Sequence, residues 1–213
     1  MNTLSTEIKK ELNLFWKWAD ISESEYSEHS YLNKNEEWEY PNWDMLISLL
    51  FTAINTLASG ERSEVLVNYL LTVMALDNED ETILDECESK LSDKDLEFLF
   101  EKGIKHMQSE ARWQIAELIG RKNNISFKKY LLNLLDDSNK YVQRRALISL
   151  DRIDTEKAQE IAFKRLQDED DYIRLVSLRI LKQHNSQKLK EAVLILTNDK
   201  FKYIQDELSE ISI

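Results

Sequence analysis

Apolar positions recur at helical spacing along nearly the whole chain. Leu4, Ile8, Leu12 and Phe15 stand three or four residues apart and predict an amphipathic helix over residues 4–18. Asn42, after Pro41, is placed to cap a second helix with Asp44 in its first turn. That helix runs through Met45, Leu46, Leu49, Leu50, Ala53, Ile54 and Leu57. It is apolar on most sides, so burial is expected, and Gly60 ends it. Further helices fit residues 63–76, 81–91 and 93–104, the last with Ser92 as its cap. Residues 20–43 show no period and read as a long loop. In a compact helical domain such a loop is either functional or disordered.

Beyond residue 93 the pattern repeats. Leu135 matches Leu166, Asp137 matches Asp168, Tyr141 matches Tyr172, Val142 matches Ile173 and Leu150 matches Leu181, each a step of 31 residues. One more step reaches Asp199, Tyr203 and Ile204, and one step back reaches Ile104, Ala111, Ile115 and Ile119. Each copy reads as two short helices joined by a polar turn. Leu131, Leu132, Leu134 and Leu135 close a first helix, and Val142, Ala146 and Leu150 form the stripe of a second. Neither helix can bury its stripe alone, so neighbouring copies must stack. Asp137, Asp168 and Asp199 stand near the start of the second helices, where a carboxylate can cap amides and meet the positive helix end.

On these residues the chain resembles the HEAT-like repeat family (PBS-lyase HEAT-like, armadillo-type α-solenoids). The likeness rests on Leu134-Leu135, Asp137, Val142, Ala146 and Leu150, on Leu166, Asp168, Ile173-Arg174 and Leu181, and on Ala111-Arg112, Ala116 and Ile119-Gly120. Gln143 departs from it, because the family usually has Arg there and a regular Asp–Arg ladder is then broken at that copy. The resemblance implies an all-α fold, an α-α superhelix or solenoid of roughly five to six helix pairs. It implies a single domain over residues 1–213, with a divergent acidic half at 1–92 and HEAT-like repeats at 93–213.

Composition narrows the alternatives. With 3 Gly and 1 Pro, the chain lacks the turn residues of a β-sandwich, a barrel or a Gly-rich phosphate loop. Cys87 is the sole cysteine, which excludes an intramolecular disulfide and a multi-cysteine zinc site. The N-terminus has no apolar stretch fit for a signal peptide, and the run from Met45 to Ile54 is too short to span a bilayer. A cytoplasmic protein is expected. The net charge of -12 is uneven: residues 1–100 hold 22 acidic and 7 basic side chains, residues 101–213 hold 18 and 21. The acidic half is suited to steering toward a basic partner.

Two stretches of that half are candidate contact surfaces. Glu36, Glu37, Trp38, Glu39, Tyr40 and Trp43 mix carboxylates with aromatic rings, as a surface for a basic protein would. Asp77, Glu79 and Asp80 form an acidic turn. The plainer readings are rings tucked into the neighbouring core and a solvated helix start. His29, His106 and His184 lack metal-ligand spacing and read as surface or turn residues. A separate constellation, Arg112, Trp113, Glu117, Arg144 and Arg174, falls on the second helices. It is similar to the concave face of HEAT-like alkylpurine DNA glycosylases, with Glu117 in place of their Asp. Its plainer reading is ion pairs between repeats and a packed Trp113.

The sequence therefore reads as a non-enzymatic protein-binding module without cofactor or metal. In general character, with no motif carrying it, the chain looks like an immunity protein of a bacterial toxin–immunity (contact-dependent inhibition) system. That resemblance implies a basic partner, a cognate nuclease toxin, with neither membrane nor nucleic acid bound. The alternatives are a HEAT-like nucleic-acid-binding protein or glycosylase, and a generic scaffold or assembly factor.

Overall fold

A computed structural model describes residues 3–29 and 37–211, which form thirteen α-helices and two short 3-10 turns, with no strand among the described residues. The fold is all-α and of the solenoid class. The chain divides into two compact units, Met1–Leu118 and Ile119–Ile213. The change of character read from the sequence at residue 92 thus falls inside the first unit.

The first unit contains α1 (Thr3–Ala19), α2 (Glu23–His29), α3 (Trp43–Ala58), α4 (Glu64–Leu76), α5 (Thr82–Lys90), α6 (Asp93–Gly103) and most of α7 (Ser109–Lys122). Helix α4 is its centre: Leu66, Val67 and every residue from Leu70 to Leu76 are buried. It packs against α1, α3, α5 and α6. Ser63 caps it by accepting the amide of Leu66. Helix α1 turns Ile8, Leu12, Phe15 and Ala19 inward, as its spacing predicts. Helix α3 is less buried than its sequence implies. Leu46, Leu50, Ala53, Ile54 and Leu57 are covered, whereas Met45 is 58% exposed. Asn42 occupies the cap position of α3 without capping it, because its side-chain amide donates to Glu11 instead. Ser92 does cap α6, in a reciprocal box with Asp95.

Residues 20–43 are not one loop. Ser22 and Glu25 cap each other's amides, at 3.2 and 2.8 Å, and start the short helix α2. Glu23 then accepts the hydroxyl of Thr72 on α4 at 3.0 Å, tying α2 to the core helix.

The second unit contains the end of α7 and three helix pairs. These are α8 (Lys128–Leu134) with α9 (Lys140–Ile153), α10 (Thr155–Lys164) with α11 (Asp171–Gln183), and α12 (Leu189–Leu196) with α13 (Lys202–Ser209). Helix α11 packs on both α9 and α13, and α10 packs against both α9 and α11. The stripes Val142, Ala146, Leu150 and Ile173, Ser177, Leu181 are buried, as the repeat requires.

The turns carry a device with the same period. Arg112 donates to the carbonyl of His106, Gln143 to that of Asp137, Arg174 to that of Asp168 and Gln205 to that of Asp199, always six residues back. Each carbonyl lies just beyond the end of a first helix, where backbone acceptors have no intrahelical partner. The turn aspartates do not cap the second helices directly. Asp137, Asp168 and Asp199 accept the amides of Asn139, Asp170 and Phe201, the cap residues themselves. Asn139 and Asp170 then cap α9 and α11.

Gln143 keeps the carbonyl contact that its position demands, and other cations take up the missing charge. Lys140 pairs with Asp168 at 3.2 Å, and Arg165 donates to Gln143 Oε1 at 2.7 Å. At the next copy Arg174 makes the full contact, bidentate to Asp199 at 2.7 and 3.0 Å.

Two predictions follow from this packing. Arg174→Gln retains a carbonyl donor, as Gln143 and Gln205 demonstrate, and removes the buried charge pair with Asp199 together with the exposed one to Asp171. It is expected to cost about 1–3 kcal/mol in urea unfolding near neutral pH. Hydrogen bonding to Arg174, followed by desolvation acting in the opposite sense, leaves the Asp199 carboxyl below its ordinary pKa. The contribution is therefore present above about pH 4 and is lost as pH falls through the lowered value. A cost that persists after Asp199 is protonated would contradict this assignment. Gly120→Ala tests the second unit's close helix contact. A Cβ there would lie 2.8 Å from Ser149 Cβ and 3.1 Å from its Cα, and Ser149 is fully buried. The clash outweighs the helix-propensity gain of about 1 kcal/mol, so net destabilisation of about 1–2 kcal/mol is expected in the same assay.

Candidate functional site

The acidic and aromatic residues singled out in the sequence meet in the first unit. Glu37, Trp43, Asp77, Glu79 and Asp80, from two stretches far apart in the chain, line one small recess together with Leu76. The Glu37–Glu39 turn and the start of α3 supply one wall, and the α4–α5 turn supplies the other. Glu36 and the side chain of Trp38 lie outside the described residues.

Aromatic packing fixes the first wall. Phe15 on α1 stands edge-on to Tyr40 at 5.4 Å and within 6.1 Å of Trp43, and Trp18 meets Tyr40 at 5.4 Å. Tyr40 is only 5% exposed, and its hydroxyl donates to Glu11 at 2.6 Å. Burial, then that carboxylate, pushes its pKa up to about 12. Tyr26, fully buried, lies 5.7 Å from Trp16 and donates toward Glu37 at 3.2 Å. Tyr26 and Tyr40 therefore form the frame beneath the surface, whereas Trp43 is half-buried at the recess and Glu39 is exposed.

The second wall turns on Asp77. Its carboxylate is 4% exposed and accepts the amide of Ile83 at 2.7 Å, securing the start of α5. Desolvation raises its pKa to about 6, against the lowering effect of the Ile83 amide, and the neighbouring charge of Asp80 adds to the rise. Glu79 and Asp80 are exposed and make no ion pair among the described residues. The recess thus offers two free carboxylates over one that is buried and readily protonated.

The other constellation is divided between the units. In the first, Trp113 and Glu117 are 7% and 5% exposed, and Arg112 is bound to the carbonyls of His106 and Met107. In the second, Arg174 is held by Asp199 and Asp171, and Arg144 lies between the rings of Tyr141 and Tyr172. His106 is a turn residue, as expected, but a buried one. Desolvation, then the charge of Arg112, lowers its pKa to about 4. His184 pairs with Asp151 at 2.9 Å. Among the described residues no three His, Cys, Asp or Glu side chains gather as a metal ligand set, and no helix is long and apolar enough to cross a membrane.

The periodic turn bonds, the buried stripes and the paired helices define the repeat. Residues 96–182 match the family model for HEAT repeats. The match runs from α6 to α11 and spans less than half of the chain. Among curated proteins, none matches this sequence. HEAT repeats are protein-interaction and scaffold modules and are generally non-catalytic.

Two features of the site escaped the sequence reading. The Ser22–Glu25 box had a signal, Ser-x-x-Glu, hidden within the acidic stretch. The inward turn of Asp77 had none, because nothing in a run of acids marks the one that is buried.

Asp77 gives a pH-dependent prediction. Its pKa in the fold exceeds the ordinary value of 3.8, so its contribution is fully present below about pH 4 and is lost as pH rises through about 6. Asp77→Asn keeps an acceptor for Ile83. It is expected to gain stability relative to the parent between about pH 4 and pH 7.5, at about 1.4 kcal/mol per unit of pKa difference. Urea titrations across that range measure the gain, and a pH-independent difference would contradict a buried ionising carboxyl.

Proposed function

We propose that this chain is a protein-binding module that captures a basic partner through the acidic recess of its first unit, as an immunity protein holds a cognate nuclease toxin. The observation that carries the reading is the convergence of Glu37, Glu79 and Asp80 around Trp43 on a wall built by buried aromatic packing. A preformed acidic surface speeds encounter with a cation-rich partner, and a half-buried tryptophan slows its release. The carboxylates can also stand in for phosphates in a nuclease site. A glycosylase reading draws less support, since it needs Trp113 and Glu117 at a surface and both are buried.

The test is association with a basic protein captured by the full chain, sought first among products of adjacent reading frames. Lysine substitutions at Glu37, Glu39, Glu79 and Asp80 together are expected to slow association about tenfold or more and to flatten its salt dependence. Unchanged rates and salt dependence would remove the acidic recess from the interface. Several partners of equal affinity would favour a general scaffold.

A further inference from the structure

In the second unit several cations of the second helices are engaged by the adjacent repeat. Arg174 is bound to Asp199, Arg179 and Lys182 to Glu207, and Lys140 to Asp168. Arg144 is different. Among the described residues it makes no ion pair and no hydrogen bond, and its Nε is shielded from solvent without an acceptor. Its guanidinium lies 5.1 Å from the ring centre of Tyr141 and 4.8 Å from that of Tyr172, so it is held between two repeats by cation–π contact alone.

Those rings belong to a longer row. Tyr141, Tyr172 and Tyr203 occupy one position of the 31-residue period and are 41%, 46% and 52% exposed. Phe201 links the last two, edge-on at 5.0 Å to Tyr172 and 5.2 Å to Tyr203. The result is an exposed aromatic row along three second helices, with one unneutralised guanidinium set in it. The fixed fork of Arg144 is suited to a carboxylate, and partly covered tyrosines are strong anchors for an incoming chain.

We infer that this row is a second docking surface, which takes an extended segment of a partner protein carrying a carboxylate for Arg144 and apolar side chains for the tyrosines. Neighbouring packed helices lie about 8–10 Å apart, the rise of one three-residue turn of a chain extended as polyproline II, in which every third side chain shares a face. An apolar residue at every third position therefore meets successive tyrosines, with the carboxylate between two of them. Nucleic acid fits less well. Its affinity comes from neutralising several phosphates, while the cations beside Arg144 are already paired and Asp171 is exposed next to Tyr172.

The test uses the full chain and three fluorescein-labelled probes: a peptide with Leu at every third position and Glu between, the same peptide with Gln for Glu, and a single-stranded oligothymidylate. Fluorescence anisotropy is expected to show the Glu peptide binding about tenfold tighter than the Gln peptide. Arg144→Gln is expected to abolish that difference, and Tyr172→Ala to weaken both peptides. Tyr172 is exposed and Arg144 partly so, and unchanged melting by circular dichroism separates lost binding from lost folding. Arg144→Lys, which keeps the charge without the fork, is expected to restore only part of the preference. No binding of the Glu peptide, equal binding of the two peptides, indifference to Arg144→Gln, or tighter binding of the oligothymidylate would each overturn the proposal. The basic-partner reading is untouched by any of these results, because none involves the acidic recess.

Discussion

Each helix pair in the repeat region depends on one backbone carbonyl in its turn. The chain leaves the first helix with unsatisfied acceptors and must reverse direction within a few residues. A side chain from the second helix answers that need at His106, Asp137, Asp168 and Asp199, through Arg112, Gln143, Arg174 and Gln205. The donor can be arginine or glutamine because the contact requires an N–H and no charge. Charge becomes an additional resource. Where arginine is present and a carboxylate faces it, as with Arg174 and Asp199, the same side chain also joins one copy to the next.

This explains why the basic residues of the second unit do not make it a basic surface. Its cations are largely consumed in linking copies, and the acidic turn residues are their partners. The first unit follows another rule. Its core is centred on α4, and at its surface Glu79 and Asp80 make no ion pair among the described residues. Aromatic packing beneath the recess, Phe15 against Tyr40 and Trp43, sets the position of the wall that carries Glu37 and Glu39. The second unit's cations thus serve the repeat itself, while Glu79 and Asp80 remain available at the recess of the first.

Much of this was legible in the sequence. The apolar stripes placed α1 and α3 to α6 to within about two residues at each end, and the period of 31 located the repeat turns. The spacing also drew together Tyr141, Tyr172 and Tyr203, though as marks of register and not as a surface. The helix α2 was obscured because its capping residues sit among other acids and serines. The capping role of the turn aspartates came out displaced by two residues, since Asx geometry at Asp137 and Asp168 hands the cap to Asn139 and Asp170. Burial within a polar run was not legible at all. Asp77, Tyr40 and Glu117 look like their exposed neighbours in sequence and differ only in the three-dimensional packing around them.

The central claim is that a partner is held at the acidic recess of the first unit. Hydrogen exchange of the full chain with and without a captured basic protein tests it most directly, because it reads each backbone segment separately. The account predicts slowed exchange in the Glu37–Glu39 turn, at the start of α3 and across residues 77–83, with the α9, α11 and α13 segments unchanged. Protection confined to α9, α11 and α13, with the recess exchanging as in the free chain, would contradict it.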